Sequence, residues 1–170
     1  MNTSNKVYLS LGSNIGDRES NLAQAITAIE ISEGINNVKS ASFYLTEPLY
    51  NREQEFFINT VIGLESTLKP FALLELLKNI EAMLGRKKKK KKNMPRIIDI
   101  DILVHGKSII ETDQLVIPHP NMIHRKFVLI PFDEIAPDYK IPLINLTVHD
   151  LLVSCNDQSF VGLHDMENQA

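Results

Sequence analysis

The sequence contains one cysteine, Cys155, among its 170 residues. An internal disulfide is therefore excluded, and a chain of this kind fits a reducing compartment. No run approaches the roughly 18 consecutive apolar residues that a membrane-spanning helix requires. The first residues, MNTSNKVYLSLGSN, lack the basic stretch and apolar core of a secretory signal. We therefore expect a cytoplasmic protein with no membrane partner, in which Cys155 is a small buried apolar residue; a nucleophilic thiol is the less favoured alternative.

Glycine and proline are also scarce, at 7 and 8 residues, whereas 44% of the residues are hydrophobic. This balance is typical of a folded globular protein and excludes fibrous and disordered chains. The length favours one domain, because a chain of this size buries one substantial core. We find neither a linker nor an internal repeat, so we expect a single domain over residues 1–170 with its core at about 7–153.

Positive charge is concentrated in one short segment. Eight of the 18 basic residues lie in RKKKKKKNMPR, residues 86–96, which contains no acidic residue. The rest of the chain has 10 basic residues against 21 acidic ones, a strongly negative balance. One basic segment on an acidic chain favours a local anion site over a surface that coats DNA. For most of the lysines the alternatives are a solvated run of charge or a nucleic-acid contact.

Hydrophobic periodicity predicts four strands and two helices in the first two-thirds of the chain. The strands are expected at 6–13, 38–49, 56–67 and around the run IIDIDILV at 97–104. The helices are expected at 17–31 and 69–85. The order strand, helix, strand, strand, helix, strand predicts an α/β protein of the α+β type with a ferredoxin-like βαββαβ core. In such a core an antiparallel sheet carries both helices on one face. We also expect extra C-terminal strands or helices, including short helices near 130 and 150.

Two aspartates interrupt the last of these strands. Because side chains alternate along a strand, Asp99 and Asp101 share one face, while the isoleucines between and beside them point to the other. Two carboxylates roughly 6–7 Å apart repel one another unless a cation lies between them. Mg²⁺ prefers carboxylate oxygens and keeps waters for the rest of its shell. The alternative is an exposed strand whose acids merely discourage aggregation.

Two arginines flank the basic run just before this pair. Arg86 and Arg96 are candidates for phosphate binding, because a guanidinium matches phosphate geometry in a bidentate way that lysine cannot. Magnesium on carboxylates with arginines beside it is typical of phosphoryl transfer, in which catalysis is mostly positioning and charge neutralisation.

The run MPRIIDIDIL, with LSLGSN, FFINTVIGLES and LVIPHPNMIHRKFVLIPFDEIAP in order, resembles the 6-hydroxymethyl-7,8-dihydropterin pyrophosphokinases of folate biosynthesis. The family pattern is Pro-Arg, two apolar residues, Asp, an aliphatic residue, Asp and two more aliphatics, and residues 95–103 match it. The resemblance extends from about Val7 to Val153. One departure is that Asn93 and Met94 stand where the family usually has an aromatic residue and a small one. Since that aromatic normally helps to cover the pterin, we expect this site to close differently.

The resemblance implies transfer of the pyrophosphoryl group from ATP, as co-substrate, to the pterin hydroxymethyl, with release of AMP. It implies that Asp99 and Asp101 hold two Mg²⁺ ions, that Arg86 and Arg96 bind phosphates as the loop closes, and that no protein nucleophile is needed. The implied partners are the two small-molecule substrates, ATP and the dihydropterin. We expect a monomer that binds no nucleic acid.

The resemblance also implies two sets of binding residues. The pterin set is Thr46, Leu49, Phe57, Asn59 and Phe127. The nucleotide set is Glu81, Lys88, His119 and Arg125. From the residues alone, the two phenylalanines could equally pack in the core, and Glu81 could lie on a solvated helix face. His119 and His124 as zinc ligands are a weak alternative. Asn59 is more informative, because a buried amide in an apolar strand needs hydrogen-bond partners such as a ligand edge.

Two other functions fit parts of the sequence. A non-catalytic nucleic-acid-binding domain of ferredoxin-like topology would use the lysine run as its phosphate contact, but such domains typically carry a basic face with paired sheet aromatics. A Mg²⁺-dependent phosphodiesterase would share the acidic pair, yet no residue stands out for activating water.

Overall fold

The structure, a computed structural model, describes residues 3–87 and 92–165. Its strands are β1 (Asn5–Ser13), β2 (Ile35–Ser40), β3 (Tyr44–Thr46), β4 (Phe57–Ser66), β5 (Asp99–His105), β6 (Ile110–Glu111), β7 (Val116–Ile117) and β8 (Val161–Leu163). Its helices are α1 (Arg18–Glu30), α2 (Pro70–Met83), α3 (Lys126–Ile135) and α4 (Val148–Ser154), with a 3₁₀ turn at Met122–His124. Within the described ranges, no helix combines the length and the apolar character needed to cross a bilayer.

The main sheet is antiparallel and has the order β5-β1-β4-β3-β8, with β2 also paired to β4. Strand β1 is central, between β4 and β5. The first elements run in the order βαβββαβ, with one more strand than predicted before α2, and the predicted fold class is confirmed.

The predicted strand at 38–49 is instead two strands, β2 and β3, that pair with successive parts of β4. Between them the Thr60 hydroxyl donates to the carbonyls of Ala41 (3.1 Å) and Ser42 (3.0 Å). Such side-chain bonds offer the backbone an alternative to the sheet ladder, and periodicity cannot reveal them. Extra C-terminal strands were expected without positions, and the three-residue edge strand β8 is one of them.

Helices cover both faces of the sheet. On the first face, the buried side chains of α1 and α2 pack against alternate residues of β1, β4 and β5, including Leu9, Ile62 and Ile100. On the second face, α3 and α4 pack against Tyr8, Val61 and neighbouring residues, with Phe132 fully buried. The predicted placement of the first two helices on one face agrees with this arrangement, whereas the cover on the second face was not foreseen.

Two helix ends deliver charged side chains to the same region of the molecule. Helix α2 ends at Met83, and two residues later Gly85 turns the chain with a φ of 96°, which is readily adopted only by glycine. The amide of Arg86 then donates to the Glu81 carbonyl (3.0 Å), so Arg86 lies just beyond the helix end. At the start of α3, the Asp157 carboxylate accepts from the amide of Lys126 (3.0 Å), which fixes Arg125 and Phe127 beside the first turn.

Candidate active site

A cleft on the second face of the sheet, beside the start of α3, gathers most of the predicted site residues. Its cavity has a volume of about 140 Å³. Nine of the predicted residues line it: Thr46, Leu49, Phe57, Asn59, Arg96, Asp99, Asp101, Arg125 and Phe127. Arg86, Glu81 and His119 lie outside its lining, and Lys88 lies outside the described residues.

The two aspartates lie as the alternation of β5 predicts. Ile98, Ile100 and Ile102 are buried in the core of the first face, while Asp99 and Asp101 face the cleft. The Asp99 carboxylate is bound by two guanidinium groups, one on each oxygen. Arg86 Nη1 lies 2.7 Å from Oδ1, and Arg96 Nη1 lies 2.5 Å from Oδ2. The two predicted arginines and one of the predicted carboxylates, Asp99, are therefore one connected group.

Asp101 has no comparable ion pair among the contacts of the described residues. Burial, together with the negative charges of Asp99 and Glu81, raises the pKa of its carboxyl to about 7. The more distant Arg125 and Arg96 only partly oppose that rise. This carboxylate is therefore poorly compensated, and an added cation would stabilise its charged form.

Glu81 is buried and does not lie on the solvated helix face that the sequence left open as an alternative. Its Oε1 accepts from the Ile100 amide (2.7 Å), and its Oε2 accepts from Arg86 Nη1 (2.5 Å). Burial raises the pKa of Glu81, and the neighbouring Asp99 adds to that effect, although Ile100 and Arg86 oppose it. Despite its own burial, Arg86 has a raised pKa because Asp99 and Glu81 surround it with negative charge. Glu81 thus orients Arg86 toward Asp99.

Arg125 and His119 both lie close enough to the acidic pair to interact with it electrostatically, Arg125 with Asp101 and His119 with Asp99. Arg125 Nη2 donates to the Tyr50 hydroxyl (3.3 Å), its guanidinium lies 5.8 Å from the centre of the Phe127 ring, and its buried Nε has no partner among the described residues. Burial and the charge of Arg125 lower the pKa of His119 to about 4, so its imidazole is neutral at pH 7. Within the described ranges, no three His, Cys, Asp or Glu residues are grouped as metal ligands, so the zinc alternative gains no support.

The wall of the cleft beside the acidic pair carries the predicted pterin residues, because Asn59 and Asp99 are both paired with Gly12 of β1 and lie on the same face of the sheet. Asn59 is only 4% exposed, and its Nδ2 donates to Thr46 Oγ1 (2.6 Å). Phe57 and Phe127 are half-buried and both line the cleft, so they present ring surface to it as well as packing. An aromatic heterocycle between these rings would bring its polar edge to Asn59.

Gly12 in β1 approaches Asn59 so closely that a Cβ at this position would overlap Asn59 Oδ1. We expect Gly12→Ala to turn the Asn59 amide away from the cleft. The KM for the pterin should rise about tenfold, which corresponds to the loss of one or two hydrogen bonds to the ligand. The KM for ATP should change little. Steady-state kinetics with each substrate varied in turn would measure both constants, and equal changes in the two would contradict this interpretation.

Several lining residues were not predicted: Ser10, Gly12, Glu47, Pro48, Tyr50, Asn51, Gln54, Asn93 and Met94. The positions of Ser10 and Gly12 in the cleft could have been predicted from the alternation of side chains along β1. Ser10 and Gly12 alternate with Leu9 and Leu11 and lie opposite Asp101 and Asp99 in the strand register. The others lie in loops, whose mutual positions periodicity does not determine.

The raised pKa of Asp101 leads to a prediction for the metal-free protein. In the unfolded chain this carboxyl loses its proton near pH 4, whereas in the folded protein it keeps the proton until about pH 7. The contribution of this group to stability therefore falls as the pH rises between those values. We expect the melting temperature of the wild type to fall, relative to Asp101→Asn, from pH 5 to pH 8. Thermal melts of both proteins across that range measure the difference, and a constant difference would contradict the assignment.

The chain is similar to known proteins over most of its length. Residues 8–137 match the family model described as 7,8-dihydro-6-hydroxymethylpterin-pyrophosphokinase. A 2-amino-4-hydroxy-6-hydroxymethyldihydropteridine pyrophosphokinase of Bacillus subtilis is 42% identical over 132 residues, which are 78% of this chain and 78% of the relative. Its counterpart in Methylorubrum extorquens is 40% identical over 133 residues, which are 78% of this chain and 84% of that protein.

Longer proteins also contain the same unit. The folic acid synthesis protein FOL1 of Dictyostelium discoideum is 42% identical over 146 residues, 85% of this chain but 22% of that protein. The solved structure of wild-type Plasmodium falciparum HPPK-DHPS with pteroate has a TM-score of 0.69 and 16% identity, covering 89% of this chain and 42% of its own. The chain thus spans less than half of the length of that structure. The structural similarity supports the fold alone. Taken with the other matches, these similarities show that the chain belongs to the 7,8-dihydro-6-hydroxymethylpterin-pyrophosphokinase family, the enzymes of pyrophosphoryl transfer in folate biosynthesis.

Proposed function

We propose that this chain transfers the pyrophosphoryl group of ATP to the hydroxymethyl of 6-hydroxymethyl-7,8-dihydropterin, with two Mg²⁺ ions held by Asp99 and Asp101. One observation carries the proposal: a single cleft has carboxylates and guanidinium groups on one wall and an amide with two aromatic rings on the other. The first wall suits a metal triphosphate, and the second suits a flat heterocycle with a polar edge.

The acidic wall fits magnesium by its chemistry. Both carboxylates lie on one face of β5 and offer the hard oxygen ligands that Mg²⁺ prefers. The raised pKa of Asp101 marks a negative charge that its protein neighbours do not neutralise. When bound there, magnesium would neutralise triphosphate charge and help to align the reacting oxygens. The number of ions, two, rests on the family resemblance.

The arginines would exchange partners when the substrate binds. Arg86 and Arg96 now occupy both oxygens of Asp99, which is one of the proposed metal ligands. If Asp99 turns to a cation, the two guanidinium groups are released beside the place where the triphosphate would lie. Bidentate contacts from arginine to phosphate oxygens would then stabilise the charge that develops during transfer.

The nucleotide would extend toward α3. Arg125 lines the cleft with an unpartnered buried Nε, and the neutral His119 lies close enough for Arg125 to depress its pKa. A neutral imidazole can donate or accept one hydrogen bond at each nitrogen, so His119 suits a polar contact better than an ion pair. Glu81 would act through Arg86.

The proposed reaction breaks one bond and forms one. The hydroxymethyl oxygen of the pterin forms a bond to the β-phosphorus of ATP, and the bond from that phosphorus to the α,β-bridging oxygen breaks. AMP leaves with the electron pair of that bond, and the hydroxyl proton passes to solvent. The protein positions the two substrates and excludes water, and no covalent intermediate on a side chain is required.

Small-molecule substrates are favoured over nucleic acid. The sheet face opposite α1 and α2, which a ferredoxin-like RNA-binding domain uses for stacking, is here partly covered by α3 and α4, and the cleft in the rest of it carries the acidic pair. Because one chain supplies both walls of the cleft, we propose that it acts as a monomer. We also propose that it acts in the cytoplasm.

Incubation of the protein with ATP, the pterin and Mg²⁺ tests this proposal. We expect AMP and the pterin diphosphate to appear together in equal amounts, and we expect no turnover when a chelator removes the metal. Formation of ADP, or consumption of ATP without the pterin, would overturn the proposed function.

A further inference from the structure

Asn14 is a buried polar residue that the proposed chemistry does not use. It follows the last residue of β1, in the run LSLGSN, and is 2% exposed. A buried side-chain amide is costly unless its donors and its acceptor are paired. The partners of Asn14 therefore indicate its role.

One side of Asn14 holds the segment that ends in Arg96. The Asn14 Oδ1 accepts from the backbone amide of Arg96 (2.7 Å), and the backbone amide of Asn14 donates to the carbonyl of Arg96 (3.0 Å). This pair of bonds fixes the backbone of Arg96, whose guanidinium reaches Asp99.

The other side of Asn14 holds the loop between β3 and β4. Its Nδ2 donates to Gln54 Oε1 (3.0 Å) and lies 3.4 Å from the carbonyl of Glu55. Gln54 then donates through Nε2 to the carbonyl of Asn93, so the two loops also contact each other directly. Every side-chain bond of Asn14 thus goes to one of the two loops.

The two loops serve different substrates in the proposed function. The loop between β3 and β4 joins Thr46 to Phe57 and carries Leu49, which belong to the pterin wall. The segment at residues 92–96 carries Arg96 on the phosphate wall. A displacement of either loop is therefore transmitted to the other through Asn14 and Gln54.

We infer that Asn14 is a positioning residue that couples binding of the triphosphate to binding of the pterin. This inference rests on the proposed function and adds a coupling between its two subsites. Asparagine suits the role because one side chain offers both an acceptor for Arg96 and donors for Gln54. The same coupling must act in both directions, since each substrate changes the affinity of the other by the same factor.

Titration calorimetry of the full chain tests the inference without turnover. The affinity for the pterin is measured with and without a non-hydrolysable ATP analogue and Mg²⁺. In the wild type we expect the analogue to strengthen pterin binding by about 5- to 150-fold. In Asn14→Ala the factor should fall to less than about threefold, and Gln54→Ala should lower it in the same direction. Asn14→Asp, which keeps the acceptor for Arg96 but loses the donor to Gln54, should give an intermediate factor.

Asn21→Ala is the matched control. Asn21 also makes two side-chain bonds at this end of the sheet, from Nδ2 to Ser13 Oγ (3.1 Å) and to the Ile15 carbonyl (2.9 Å), but it reaches neither loop. Its coupling factor should equal that of the wild type.

Three results would overturn the inference: no coupling in the wild type, full coupling in Asn14→Ala, or equal loss of coupling in Asn21→Ala. Should Asn14→Ala fail to fold, Gln54→Ala decides the matter, because Gln54 belongs to a largely exposed loop and full coupling in that variant would contradict the link. Failure of the proposed function is a separate result, seen as absence of AMP and pterin diphosphate in the turnover assay.

Discussion

Asp101→Asn is expected to lower turnover by at least about 10³-fold, equivalent to about 4 kcal/mol of transition-state stabilisation. The substitution keeps the shape of the side chain but removes the charge that the proposed metal needs. It should not destabilise the metal-free protein at pH 7, because the raised pKa of Asp101 shows that its charged form is disfavoured there. Initial rates at saturating substrates and a thermal melt measure the two effects.

The control for this substitution is Asp113→Asn, an exposed aspartate between β6 and β7 that does not line the cleft. Its rate should match that of the wild type. If Asp101→Asn retained a rate within tenfold of the wild type, the assignment of Asp101 as a metal ligand would be wrong.

Arg96→Lys is expected to lower turnover by about 10²-fold, and Arg96→Ala by about 10³-fold. Lysine keeps the positive charge but offers a single point donor in place of the planar fork that matches phosphate oxygens. The loss should appear mainly in kcat, because this contact is proposed to strengthen as charge develops in the transition state. Rates at saturating ATP separate kcat from KM.

Lys92→Ala provides the comparison within the same basic segment. Lys92 is exposed and does not line the cleft, so its loss should change the rate by less than about threefold. If Lys92→Ala and Arg96→Lys had equal effects, the segment would act through its net charge alone, contrary to the specific role of Arg96.

The centre of the site follows from local sequence rules. The alternation in IIDIDIL places both aspartates on one face of β5, and the same alternation in YLSLGS places Ser10 and Gly12 opposite them. The position of Glu81 was also accessible, since it follows Leu77 by four residues on the apolar face of α2. Its burial could not be predicted from this spacing alone, because it depends on the contact with the Ile100 amide of β5.

The margins of the site depend on contacts that periodicity does not encode. Between β2 and β3, the backbone is bound by the side chain of one threonine, Thr60. Asn14 contacts two loops that lie 40 and 82 residues away in sequence. Tyr50 reaches Arg125 across 75 residues. Such long-range polar contacts form only after the sheet has brought the loops together.

The departure at Asn93 and Met94 changes how the cleft is bounded. Both residues line the cleft, and neither has an aromatic ring. The carbonyl of Asn93 instead accepts a hydrogen bond from Gln54 in the loop between β3 and β4. Tyr50, which is 65% exposed, supplies an aromatic side chain from the loop between β3 and β4. The cleft therefore keeps an aromatic residue near its mouth, although the basic segment has none.

The central claim is that the acceptor oxygen attacks the β-phosphorus of ATP. Reaction with ATP that carries oxygen-18 in the α,β-bridging position, followed by mass spectrometry of both products, tests that claim most directly. The account predicts that AMP retains all of the bridging label and that the pterin gains two unlabelled phosphoryl groups. Formation of ADP with a pterin monophosphate, or label in the pterin product, would contradict it.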